Sequence, residues 1–247
     1  LVRRQRQMCI RDRDERRVEF HFDDGGHGTH CAGIAAGQRI EGRQGFDGIA
    51  PGARVISLKI GNNALAGGAT TPGSMERAIT FASDWARKHK TPVVMNISYG
   101  IGSEHEGYAG IDGILDEALA DNALLVASVA AGNDGPGLST VGTPGASHLA
   151  WTAGAFLGIE NGQAMWGSGA KNPRVFGFSS RGGELDKPDG LSPGAAWSSV
   201  PPFHRRAVMA GTSMATPQAA GAHALLISAA KANAVPWNSG LLKRAFK

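Results

Sequence analysis

ALLVASVAAGNDGPG, residues 123–137, decides the fold. Its first nine residues, 123–131, form a near-continuous apolar run, and such a run bounded by a turn signal reads as a strand buried on both faces. ARVISLKI (53–60) and PVVMNIS (92–98) read the same way. Between these segments Ser74 can cap a helix whose Met75, Ala78, Ile79, Ala82, Trp85 and Ala86 fall at helical spacing. Ile111, Ile114, Leu115, Ala118 and Leu119 mark a second amphipathic helix. Strands alternating with helices predict an α/β fold of three layers, a mostly parallel sheet with helices on both faces. Ligands of such sheets bind beyond the carboxyl ends of the strands, so the polar residues placed there carry the functional information.

Three polar islands stand out. Asn133 follows the strand at 123–131, where its amide can project into a cleft, although Asn-Asp-Gly also makes a plain turn. GGHGTHCAGIAAG (25–37) sets His27 and His30 three apart on a small-residue helix. Zinc would want further protein ligands, and neither H-E-x-x-H nor C-x-x-C is present, so no metal site is expected. AGTSMATPQAAGAHALL (210–226) places Ser213 at a helix start, where a serine is either a cap or a hydroxyl at the positive helix end. Pro217 then fits a first helical turn.

Charge narrows the partners. Of 25 Lys+Arg and 21 Asp+Glu, the opening LVRRQRQMCIRDR holds five arginines and one acid, which leaves 20 of each in residues 14–247. A neutral remainder argues against nucleic-acid or membrane partners, and no apolar run nears the roughly 18 residues of a spanning helix. The opening stretch lacks the apolar core of a secretory signal. QMCIRDR is what CAGATGTGTATAAGAGACAG encodes, a run resembling the transposon end of sequencing libraries. Residues 1–13 are therefore expected to be a foreign tail, and 14–247 a partial catalytic domain cut at its N-terminus and, ending in LLKRAFK, at its C-terminus. With Cys9 in that tail, Cys31 stands without a disulfide partner.

HGTHCAG (27–33), AAGNDG (130–135) and GTSMATP (211–217), in this order, resemble the signature blocks of the subtilases, the subtilisin-like serine proteases. GIAPGARVISLKI (48–60), NISYG (96–100) and FSSRG (178–182) fall in register with weaker blocks, and within the family GNDGPGLSTVGTPG (132–145) is most similar to the tripeptidyl peptidase II branch. The resemblance implies Ser213 as nucleophile, His27 as general base, and Asn133 with the Ser213 N–H as oxyanion donors. It implies a peptide or protein substrate held by Asn96, Ser98, Tyr99, Gly100, Ala131, Gly132, Gly135, Gly142 and Pro144, with Gly142–Gly145 walling the primary specificity pocket. His30 would be structural, and Cys31 a buried thiol. No cofactor is identified; calcium enters by family resemblance alone. A homo-oligomer and a cytoplasmic location would follow from the tripeptidyl peptidase II branch, secretion from the others.

One departure matters. Subtilases carry their aspartate in a D-[ST]-G-type block upstream of the histidine, and residues 14–24 contain none. Asp23 and Asp24 lie only four and three residues before His27, badly placed to orient its ring, so the triad aspartate is expected outside the chain and the fragment to be inactive or weak. Two rival readings exist: a catalytically inactive peptide-binding relative, and a nucleophile elbow at GLSPG (190–194) around Ser192. The elbow fails because Pro193 has no N–H to donate to an oxyanion.

Overall fold

The computed structural model describes residues 8–12, 17–21, 23–62, 65, 68–103, 105–204 and 207–246. Strands β1 (Met8–Asp12) and β2 (Arg17–His21) pair antiparallel in a two-stranded sheet of their own. Residues 1–7 and 13 of the expected foreign tail lie outside the described residues.

Helix α1 (His27–Ala36) leads through a loop to α2 (Pro72–His89), then β3 (Val93–Ile97), α3 (Gly110–Asp121) and β4 (Leu125–Ala130). After β5 (Trp151–Leu157) come α4 (Ile159–Trp166), β6 (Arg174–Val175), β7 (Gly190–Pro193), β8 (Ala195–Trp197) and β9 (Val208–Ala210), and α5 (Thr212–Ala232) and α6 (Ser239–Phe246) close the chain. Strands β3, β4, β5 and β7 run parallel in that order, with β6 antiparallel at the end of β5, while β8 and β9 form a separate hairpin.

Strand β4 explains the layers. Leu125, Ala127 and Val129 project to one side, onto Met75, Ile79 and Ala82 of α2 and Leu115 and Leu119 of α3. Val126 projects to the other, onto Ile227 of α5 and Leu242 of α6. Apolar surface is thus removed from water on both faces, as the unbroken run at 123–131 requires. On the α5 side the small residues Ala215 and Ala219 let the helix settle onto Trp151, Ala153 and Ala155 of β5.

Buried within this second layer, His223 of α5 bonds the Ser128 hydroxyl through Nδ1 at 3.0 Å. Desolvation lowers its pKa from 6.5 to about 4, against a small opposing effect of the Ala219 carbonyl. The unfolded chain therefore binds a proton here between pH 6.5 and about 4 that the folded chain refuses, so stability falls as pH drops through that window. The expected loss is about 3 kcal/mol. Urea midpoints between pH 7 and 4 should fall steeply in the parent chain and less steeply in His223→Gln.

Three details depart from the sequence reading. Residues 53–60 enter no strand pairing among the described residues, and Val55 is 57% exposed. Only Ile60 packs against the core. A β-branched apolar run needs a neighbouring strand to hold it in a sheet, and β3 is the edge of the described sheet on that side. Helix α2 is capped by Thr71, whose hydroxyl accepts from the Ser74 N–H at 3.2 Å, because Pro72 suits the first helical position and Ser74 then carries an orphan donor. Pro217 lies in the second turn of α5, since that helix begins at Thr212.

Candidate active site

Pro217 has a local consequence. It lacks the N–H that would bond the Ser213 carbonyl one turn back, and that carbonyl instead accepts from the Ser98 hydroxyl at 2.9 Å and the Cys31 thiol at 3.4 Å. The start of α5 is thereby tied to the end of β3 and to the face of α1 that carries His27 one turn before Cys31. Burial raises the Cys31 pKa to about 11, so the thiol stays protonated and able to donate. His30 Nε2 bonds the Ala207 carbonyl at 2.8 Å, and the Ser198 hydroxyl bonds the His30 carbonyl at 2.8 Å; together they fasten α1 to the two ends of the connection between β8 and β9.

His27 opens α1 on a solvent-exposed edge. Desolvation on its packed side lowers its pKa below 6.5, partly offset by the charge of Asp23. The Asp23 carboxylate is occupied otherwise: Oδ2 accepts both the N–H and the hydroxyl of Thr29 at 2.7 Å, a cap for the orphan donors of the first turn. Asp24 offers its backbone carbonyl to His204 Nε2, and the His204 ring packs against Gly26, whose φ of 69° turns the chain into α1. Among the described residues from 23 onward no carboxylate bonds the His27 ring, and His27 and Ser213 are not bonded to each other; the Ser213 hydroxyl rests on the Ser98 carbonyl at 3.3 Å.

Asn133 sits in the loop after β4. Its Oδ1 accepts from the Thr212 N–H at 3.0 Å and from the Thr212 hydroxyl at 3.1 Å. With the oxygen so held, Nδ2 remains a donor at the mouth of α5. A Cβ on Gly211 would lie 3.6 Å from both Nδ2 and Oδ1 of Asn133 and 3.7 Å from the Ser213 nitrogen, so the amide and that nitrogen flank the same glycine. The loop is held from behind by Phe178–Ser180, through Gly135 N–H to the Phe178 carbonyl at 2.9 Å and Ser180 N–H to the Gly132 carbonyl at 3.1 Å. Gly132, at φ 113°, leaves no room for a side chain: a Cβ there would meet Ser180 Oγ at 2.7 Å.

The expected substrate residues gather beside this centre. Asn96 donates to the Ser98 hydroxyl at 3.0 Å, and the Tyr99 hydroxyl accepts from Thr70 N–H at 3.3 Å. Just past Gly100, Ile101 and Thr143 exchange two backbone bonds at 2.9 and 3.1 Å, and the Gly142 N–H bonds the Ala131 carbonyl at 3.0 Å. Segments 96–101, 131–135 and 142–144, the last ending at Pro144, therefore form one knit cluster. Ser192 lies elsewhere, buried mid-strand in β7 against Ala155, where no elbow exists. Sequence reading assigned no role to Thr212 and Ser180, which contact Asn133 and its loop; they lie within the blocks GTSMATP and FSSRG.

Among the described residues no three His, Cys, Asp or Glu side chains gather to hold a metal ion. The chain is 37% identical over 236 residues to tripeptidyl-peptidase 2 of Arabidopsis thaliana, covering 91% of this chain and 16% of that protein. The corresponding protein of Caenorhabditis elegans is 33% identical over 239 residues, covering 93% of this chain and 17% of the relative. The chain thus spans about one sixth of these relatives. A crystal structure of tripeptidyl peptidase 2 superposes with a TM-score of 0.70 at 28% identity, over 94% of this chain and 17% of that one. A family model described as the subtilase family matches residues 6–245, and the chain belongs to that family.

Proposed function

We propose that this is a serine peptidase centre that hydrolyses peptide bonds. Ser213 Oγ attacks the carbonyl carbon while His27 accepts its proton; the tetrahedral oxyanion is held by Asn133 Nδ2 and the Ser213 N–H, and His27 returns the proton to the departing amine. An extended peptide lies along Ser98–Gly100 as an added strand, its side chain before the scissile bond facing Gly142–Pro144. The observation that carries this reading is the Thr212 clamp on Asn133 Oδ1, which leaves the amide only its donor side to present. A peptide-binding role alone would require neither that clamp nor Ser213. Similarity to the tripeptidyl-peptidase 2 proteins favours short peptides as substrates.

The orienting acid of the triad is assigned to a segment outside residues 23–246, since Asp23 is spent on capping α1. Two results test this together. The base works unprotonated, so a lowered His27 pKa places the acid limb of kcat/KM below pH 6.5. Asp23→Asn, which removes the charge that raises His27, should move that limb lower still and leave the plateau within a few-fold. A fall of about 10⁴ in kcat would identify Asp23 as the triad acid instead.

A further inference from the structure

Glu106 is a buried acid that this mechanism does not use. It is 1% exposed, and its two oxygens accept four backbone N–H groups. Oε1 takes Val141 at 3.1 Å, and Oε2 takes Gly183, Glu184 and Leu185 at 2.9, 3.1 and 3.2 Å. Burial alone would raise its pKa, but these donors outweigh burial and the net direction is down, so the carboxylate is charged and its bonds are of the strong, charge-assisted kind. Three separate loops meet on this one side chain. Its own loop leaves the cluster at Ile101, Val141 immediately precedes Gly142, and the loop through Gly183 packs so closely on Ser139 that a Cβ on Gly183 would collide with Ser139 Oγ. On the other side of the same wall the Thr143 hydroxyl bonds the buried Asp112 carboxylate at 3.0 Å. The Gly142–Pro144 segment is thus suspended between two carboxylates, and only Glu106 also grips a third loop.

We propose that Glu106 is a positioning residue that sets the wall formed by Gly142–Pro144, and through it the size preference for the substrate side chain preceding the scissile bond. This rests on the serine peptidase reading of Ser213. Glu106→Gln keeps the shape but turns an NH₂ toward N–H donors on one side, which no orientation of the amide can satisfy. With free-amine tripeptide p-nitroanilides that differ only in the third residue, Glu106→Gln should raise KM about tenfold and flatten the ratio between large and small third residues, since displacement of a binding wall by about 1 Å has effects of that order or more. Labelling of Ser213 by a small fluorophosphonate, which does not need that wall, should stay within about threefold of the parent. Glu106→Asp, which keeps the charge but not the reach, should fall between the two. Unchanged KM and side-chain ratios in Glu106→Gln would overturn the proposal. So would loss of labelling in both variants, which would make Glu106 a folding residue. A parent chain that takes no label overturns the underlying serine peptidase reading, and this inference with it.

Discussion

Replacing Ser213 with alanine should lower kcat for peptide hydrolysis by about 10⁶ where His27 has a carboxylate partner, and by about 10² where it has none. The first figure is the loss known for the nucleophile of subtilisin; losing that enzyme's aspartate alone costs about 3 × 10⁴, and the ratio leaves about 10². Triad members act as a unit, so once the acid is missing the nucleophile has less left to lose. Because Asp23 caps Thr29 and no other carboxylate described among residues 23–246 bonds the His27 ring, the smaller figure is expected. Steady-state rates for the parent and Ser213→Ala, each normalised to folded protein, give the ratio. A ratio near 10⁶ would place an orienting acid within this chain, and a ratio of one would remove Ser213 from the chemistry.

Replacing Asn133 with leucine should cost about 10²–10³ in kcat and leave KM within about twofold. The argument is one of timing. Asn133 Nδ2 has no partner to lose among the described residues, because the amide is held through its oxygen by Thr212. Its bond forms only as charge develops on the substrate oxygen, so the loss falls on the transition state and spares ground-state binding. Stability should fall as well, by about 1–3 kcal/mol, because the N–H of the buried Thr212 loses its acceptor, so rates are normalised to folded protein. Thr212→Val should reproduce part of the defect, because the clamp loses its hydroxyl and keeps its N–H. A rise in KM with kcat unchanged in Asn133→Leu would instead make Asn133 a substrate-binding residue.

Where a segment's own pattern is sufficient, the sequence was readable. The run at 123–131 demands burial on both faces and receives α2 and α3 on one side and α5 and α6 on the other. His27, Ser213 and Asn133 were visible as polar residues at helix starts and strand ends. The failures share a cause, dependence on distant partners. Residues 53–60 carry a strand's composition, but a strand exists only in a ladder, and none of the described strands pairs with them. The role of Thr212 depends on a residue 79 positions away, and Glu106 on amides 35 to 79 positions away; neither leaves a local pattern. Pro217 was visible, yet the effect of its missing N–H shows only once Ser98 and Cys31 are seen to approach the freed carbonyl.

Reaction with a fluorophosphonate followed by peptide mass mapping tests the serine peptidase centre most directly. The account predicts a single phosphonyl adduct on Ser213, absent in Ser213→Ala and slowed in His27→Ala. An unlabelled chain, or an adduct on another serine that persists in Ser213→Ala, would contradict it.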